Sequence, residues 1–345
     1  MSQKLFNVAV VGATGAVGEQ IIGLLEKRDF PINELKLLSS ARSAGTRIMF
    51  KGKEYTVEEA TPDSFKGIEI ALFSAGGEVS KLLAPHAVES GAVCIDNTNA
   101  FRMDPETPLV VPEVNMDKVS EHKGIIANPN CSTIQLVAAL APLQDRYGIS
   151  RIIVSTYQAV SGAGTRAIDE MLRQTREALD GHDVIPDILP VGSLPVKHQI
   201  AFNAIPQIDK FQDNGYTLEE MKMVRETKKI LGDDSIEVTA TCVRIPVVYG
   251  HSESVYVELK NDYEMEEVRK LIAEAPGVTL VDDPASQLYP LATIAAGKPD
   301  VFVGRLRRDL GHARGLNLWI VSDNLLKGAA WNAVQIAEYI AIEME

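Results

Sequence analysis

The consecutive run Phe6–Val11, Gly12-Ala13-Thr14-Gly15-Ala16-Val17-Gly18 and Glu19–Lys27 constrains the fold more than any other part of the chain. An apolar strand leads into a turn with glycines three residues apart, and the turn opens a helix. The first amide groups of that helix have no acceptor within it, so they face whatever lies beyond the strand end. A pyrophosphate is the ligand such a loop holds best. Three-residue glycine spacing also serves a plain tight turn; the strand before it and the helix after it are what point to a dinucleotide.

The next strand, Leu35–Leu38, lacks the Asp or Glu that would bind a free ribose 2′-hydroxyl. It ends in Ser39-Ser40-Ala41-Arg42-Ser43-Ala44-Gly45, whose hydroxyls and guanidinium suit a 2′-phosphate. That selects NADP over NAD, although the same residue types populate any exposed loop.

Strand and helix keep alternating through Ile68–Phe73, Glu78–Glu89 and Val93–Ile95, which describes a doubly wound parallel sheet. Ligands of such sheets lie beyond the carboxyl ends of the strands, where Arg102 falls, a candidate anion clamp or a surface arginine. After Gly148 the segments Arg151–Ala159, Ile236–Val248, Ser254–Leu259 and Leu316–Val321 are longer, β-branched strands, so the second domain reads as α+β. A final helix from about Leu325 carries a stripe, Leu326, Ala330, Ala333, Val334, Ala337 and Ile340, able to dock back on the first domain. At 345 residues, two domains are expected.

The chemistry centres on Asn128-Pro129-Asn130-Cys131-Ser132-Thr133. Ile134, Val137, Leu140 and Leu143 follow at helical spacing, Pro129 disfavours helix before it, and Asn130 is a good N-cap. Cys131 therefore falls in the first turn, where free amides and a dipole worth about half a positive charge favour thiolate over thiol. The same amides suit an oxyanion formed when sulfur attacks a carbonyl. A small buried hydrophobe is the other reading of a lone cysteine.

Further candidates are spread along the second domain. Gln158 ends a strand and precedes the flexible turn Ser161-Gly162-Ala163-Gly164. Thr217-Leu218-Glu219-Glu220 reads as a capping box on a helix that also carries Lys222, so Glu220 is either cap or ligand. Arg244 shares a strand face with Val238, Ala240 and Cys242 and needs an anionic partner, fixed or bound. His251, at a strand end near Glu253, is a candidate general base or a satisfied polar residue. The histidines show no metal-ligand spacing, and no metal is proposed.

A net charge of −13 argues against general binding to nucleic acid or anionic membrane. Cys94, Cys131 and Cys242 are too few and too scattered for a disulfide framework or a Cys-x-x-Cys site, which fits a reducing cytoplasm. No basic leader with an apolar core precedes the first strand, and no apolar run reaches about 18 residues, so a soluble protein is expected.

Taken together, Gly12–Gly18, Asn97–Met103, Val111–Asn115, Asn128–Thr133, Gln158–Gly164, Arg244–Glu253 and Asp323–Ala330 resemble the aspartate-β-semialdehyde dehydrogenase family over nearly the whole chain. The resemblance implies a Rossmann-type NADP-binding domain over 1–130. A catalytic and dimerisation domain of the glyceraldehyde-3-phosphate-dehydrogenase-like type would span 131–323, with 324–345 a helix returning to the first domain. It implies reversible reduction of β-aspartyl phosphate to aspartate semialdehyde by NADPH, with release of phosphate, on the route to lysine (through diaminopimelate), threonine, methionine and isoleucine. By carry-over Cys131 is the nucleophile, His251 its acid/base partner and Gln158 a positioning group. Arg244 would take the substrate carboxylate and Glu220 its ammonium, with the neighbouring Glu219 leaving that choice open. Arg102, Asn130 and Lys222 would surround phosphate. Gly12 to Gly18, Ser39, Arg42, Ser43, Ser161, Gly162 and Asn324 would hold NADP(H), and the protein would be a homodimer or homotetramer. N-acetyl-γ-glutamyl-phosphate reductase and a non-catalytic NADP-binding protein of the same fold are the alternatives.

Overall fold

In the computed structural model, which describes residues 4–344, the chain forms two compact units. One comprises the residues up to Asn130 together with those from Ala329 on, and the other is Cys131–Gly328. Asn324 had been expected to begin the return to the first domain. The second unit instead keeps Asp323 and Asn324, because their side chains accept hydrogen bonds from its own Gly297 and Gly250 amides.

The first unit is built on a wholly parallel sheet. β1 (Phe6–Val11) leads through the glycine turn into α1 (Ala16–Lys27), and β2 (Ile32–Ser39), β3 (Ile70–Phe73), α2 (Gly77–Glu89), β4 (Val93–Asp96) and β5 (Ile125–Ala127) follow. Glu58–Glu59 adds a short edge beside β2, and across the sheet the order runs from that edge through β2, β1, β3 and β4 to β5. In chain order this is 3-2-1-4-5-6, so the direction of winding reverses at β1, and the glycine turn emerges at that crevice. A hairpin, Arg47–Phe50 with Lys53–Thr56, stands apart from the sheet. β1 and β3 are almost wholly apolar and buried, as strands covered on both faces must be. The C-terminal helix Trp331–Glu343 lies against α1, where the Arg28 guanidinium bonds Glu338 and stacks over the Trp331 ring at 4.4 Å.

The second unit opens with α3 (Cys131–Tyr147), followed by β6 (Ile149–Gln158), α4 (Thr165–Leu179) and α5 (Leu218–Leu231). Next come β7 (Glu237–Arg244), β8 (His251–Leu259), α6 (Met265–Glu274), β9 (Val278–Leu280), β10 (Val301–Arg308) and β11 (Gly315–Ser322). Its sheet is mixed, in the order β7-β6-β8-β11-β10-β9. α3 is buried on nearly every side, beyond the single stripe its sequence suggests. It therefore behaves as a core helix. On α4, the buried Glu170 accepts from the amides of Asp187, Ile188 and Leu189, and Gln174 accepts from Ile200 and Ala201. Two polar side chains thus satisfy the backbone of a long irregular segment.

Two strand boundaries differ from the sequence reading. The strand expected over Ile236–Val248 ends at Arg244, since Ile245 and Pro246 open a turn that closes at Gly250. The strand expected from Ser254 already begins at His251, which pairs with Ser322 on β11. His251 is therefore a sheet residue and not part of the preceding loop.

Candidate active site

In the first unit the glycine turn is shaped by close backbone contact. Gly12 has φ +89°, and a Cβ there would lie 2.5 Å from the Ser74 carbonyl oxygen; one on Gly18 would lie 2.1 Å from the Gly12 carbonyl oxygen. Only glycine fits either place. Thr14 Oγ1 and Ser39 Oγ are 3.0 Å apart, which joins the turn to the end of β2, and Arg42 is exposed in the short turn Ala41–Ser43 that follows. Backbone amides, two hydroxyls and an unburied guanidinium at one strand end are a donor set that fits a dinucleotide with a 2′-phosphate. Beyond β4, the buried Arg102 donates from Nε to the Asn128 carbonyl at 2.9 Å and from Nη2 to the Asn97 carbonyl at 2.8 Å.

In the second unit Cys131 is the first residue of α3, half-buried and not in a disulfide. Its neighbour Ser132 accepts a 2.8 Å bond from the Gln158 carboxamide at the end of β6, and the same nitrogen lies 3.2 Å from Glu219 Oε1. Arg244, at the end of β7, pairs in register with Gln158. Its backbone exchanges two 2.9 Å bonds with Ile205, and its Nη1 donates to the Ala159 carbonyl at 2.7 Å. Burial lowers the Arg244 pKa, while Glu219 and the Cys131 sulfur act the other way.

The carboxylate turned toward these groups is Glu219 and not Glu220. Glu220 Oε2 accepts from the Thr217 amide at 2.7 Å and Oε1 from the Cys242 amide at 3.0 Å, so it closes a capping box and fastens α5 to β7. The assignment of Glu220 as substrate ligand is corrected accordingly. Glu219 reaches Gln158 with one oxygen and Lys222 with the other, at 3.1 Å. The i,i+3 spacing of Glu219 and Lys222 was the sequence signal for this pair.

His251 is fully buried. Its Nδ1 accepts a 3.0 Å bond from the Ala159 amide, which places the neutral ring's proton on Nε2. Burial, and next the Arg244 charge, lower its pKa from 6.5 to about 3, against an opposing pull from Glu219. Nε2 has no hydrogen-bond partner among the described residues. A Cβ on Gly162 would stand 3.4 Å from that nitrogen and 3.0 Å from Arg244 Nη1, so the glycine leaves both donors uncovered on that side. In the free protein His251 therefore presents Nε2–H as a hydrogen-bond donor. Asn324 joins the Gly250 amide and Ser161 Oγ, at 3.0 and 2.9 Å. Ser161, Gly162 and Asn324 thus lie near one another. Among the described residues no cluster of His, Cys, Asp or Glu has the makings of a metal site.

Sequence reasoning missed a polar layer beneath these groups. Gln135 donates to the His251 carbonyl at 3.3 Å and accepts from Ser322 Oγ at 2.7 Å. Glu253, two residues along β8, is wholly buried, and desolvation raises its pKa well above the usual range. His251 stands opposite Ser322 by strand register, and Gln135 reaches both from helix α3, an arrangement the sequence does not reveal.

A thiol at a helix N-terminus, a histidine donor, an arginine and a carboxylate on one mixed-sheet unit, and a dinucleotide turn on a parallel-sheet unit, are groups that suit a nicotinamide-dependent aldehyde oxidoreductase. Family models for the semialdehyde dehydrogenase NAD binding domain and dimerisation domain match residues 7–122 and 140–327. The chain belongs to the aspartate-semialdehyde dehydrogenase family. It is 63% identical over 333 residues to aspartate-semialdehyde dehydrogenase of Bacillus subtilis, covering 96% of each chain. It superposes on the crystal structure of aspartate semialdehyde dehydrogenase II of Vibrio cholerae complexed with ASA with a TM-score of 0.91, at 50% identity and coverage of 97% and 98%. The Candida albicans aspartate semialdehyde dehydrogenase with NADP is more distant, at 26% identity, coverage of 97% and 98%, and a TM-score of 0.74.

Proposed function

We propose that this chain interconverts β-aspartyl phosphate and aspartate β-semialdehyde with NADPH as reductant, through an acyl thioester on Cys131, in biosynthesis of the aspartate-derived amino acids. The observation that carries this reading is the Gln158 carboxamide bonded both to Ser132, next to the thiol, and to Glu219, with Arg244 in register beside it. Arg244 takes the substrate α-carboxylate and Glu219 its ammonium, which leaves the β-carbonyl for the sulfur. An acetylated substrate has no cation to meet Glu219, which disfavours the N-acetyl-γ-glutamyl-phosphate reading.

In the reductive direction the Cys131 thiolate forms a bond to the β-carbonyl carbon and the carbonyl electrons move to oxygen. The amides opening α3 and the His251 Nε2–H are donors suited to that oxyanion. When the carbonyl re-forms, the bond from carbon to the phosphate oxygen breaks and phosphate leaves; Arg102, Asn130 and Lys222 are assigned to it. NADPH, when bound, supplies the hydride that reduces the thioester. Release of the aldehyde then returns the bonding electrons to sulfur. The residues assigned to the dinucleotide are Gly12 to Gly18, Ser39, Arg42 and Ser43, with Ser161, Gly162 and Asn324.

We also place the protein in a reducing cytoplasm as a homodimer or a larger homo-oligomer. Three cysteines without disulfides and the match to a dimerisation domain support this reading. Among the described residues no helix is long and apolar enough to cross a membrane. The test is NADPH formation from aspartate semialdehyde: it should require inorganic phosphate. Cys131→Ser should lower it by about three orders of magnitude while NADPH still binds. Turnover by the serine variant, or turnover indifferent to phosphate, refutes the thioester route.

A further inference from the structure

A strap between α4 and α5, residues 203–210, lies against two of the charged side chains just described. At one end Ile205 exchanges two backbone hydrogen bonds with Arg244. At the other, Asp209 adopts a left-handed backbone with φ +67°, and its carbonyl accepts from Gln207 Nε2. Its Oδ1 accepts from the Lys210 amide at 2.8 Å, and its Oδ2 accepts from Lys222 Nζ at 3.2 Å. Lys222 is thereby held between two carboxylates, Asp209 on the strap and Glu219 one turn back on α5.

We propose that Asp209 is a positioning residue for phosphate: it shares the Lys222 ammonium with Glu219, at 3.2 and 3.1 Å, and so fixes where that cation meets the anion. This rests on the assignment of Lys222 to phosphate. A lysine is a flexible point charge, and one carboxylate three residues away on the same helix would draw it down. A second carboxylate opposite makes the ammonium a shared, fixed donor. Asp209 repels an incoming anion, which opposes the effect, but its side chain is 30% exposed, against 6% for Glu219, and water and salt screen it more. The positional effect dominates. A left-handed backbone in a residue other than glycine is a conformation that surrounding structure must hold, and such positions gather at functional sites.

The backbone makes a clean test available, because Asn and Gly both accept a left-handed φ. Asp209→Asn and Asp209→Gly should each raise the KM for inorganic phosphate in semialdehyde oxidation about tenfold, the size of one charge-assisted hydrogen bond, with kcat within about threefold. Lys222→Met should raise the same KM, and adding Asp209→Asn to it should change nothing further, as expected of residues acting through one another. If Lys222→Met leaves the phosphate KM unaltered, the assignment of Lys222 is wrong and the proposal falls with it. If Lys222→Met raises it but Asp209→Asn does not, or if the Asp209 effect persists without Lys222, the proposal alone is overturned. Melting curves of the Asp209→Gly variant identify a fold defect, which would move kcat and every KM together and equally count against a positioning role.

Discussion

The amide of Ala159 donates to Nδ1 of His251 at 3.0 Å, and that single bond decides which nitrogen of the imidazole carries hydrogen. A doubly protonated ring would set two N–H groups against each other there. In the free protein His251 should therefore show an unprotonated Nδ1 and a protonated Nε2 by ¹⁵N NMR, without titrating between pH 5 and 8. A ring that titrates near its usual value of about 6.5 contradicts the assignment.

The same contact has a stability consequence. The unfolded chain takes up a proton at His251 near 6.5, whereas the folded ring stays neutral down to about 3. Stability is thus lost as pH falls below about 6.5, and the loss continues toward 3. His251→Gln removes this linkage, so its melting temperature relative to the parent should rise between pH 7.5 and pH 5. A constant difference at both pH values argues against a buried neutral ring.

Glu219 and Glu220 are adjacent but should respond oppositely to removal of charge. Glu219→Gln is expected to raise the KM for aspartate semialdehyde by about tenfold or more, since a bound ammonium loses its carboxylate. Glu220→Gln weakens a capping box and the bond to the Cys242 amide, and should lower Tm by about 2–4 °C with that KM nearly unchanged. Steady-state kinetics beside thermal melts of both variants decide the matter, and an exchange of the two phenotypes would restore Glu220 as the ligand.

Glu253 has no solvent exposure, and burial raises its carboxyl pKa well above the usual range. Its folded pKa lies above its unfolded one, so ionisation costs stability as pH rises past the unfolded value of about 4.3. Glu253→Gln, neutral at every pH, should gain on the parent between pH 5 and pH 8 in denaturant titrations. An equal stability difference across that range would mean the carboxyl is not kept protonated.

Arg42 is exposed in the turn that follows β2, and the stretch Leu35–Gly45 carries no acidic residue of its own, while Glu58 and Glu59 pair beside Leu38 and Ser39. Arg42→Glu should weaken NADPH binding about tenfold more than NADH binding, because only NADPH carries the 2′-phosphate that a new carboxylate repels. Calorimetric titration with both dinucleotides provides the comparison, and parallel losses would remove Arg42 from the phosphate subsite.

Much of this protein was legible in the order of its residues. The glycine turn after β1, the missing acid after β2 and the proline-asparagine entry to α3 are local signals, because backbone sterics and unpaired helix amides act within a few residues. They determined the parallel-sheet unit, the dinucleotide turn and Cys131 at a helix mouth. Other questions depended on contacts between residues far apart in the chain. Glu219 and Glu220 carry the same chemical group, and only the docking of α5 on β7 assigns one to the Cys242 amide and frees the other for Gln158. The tautomer of His251 is set by an amide 92 residues away, and Lys222 is held by a carboxylate on a strap that no periodicity marks. Hydrogen-bond partners at such separations follow from strand register and helix docking, and those are decided when the core packs, by the summed burial of side chains across the whole unit.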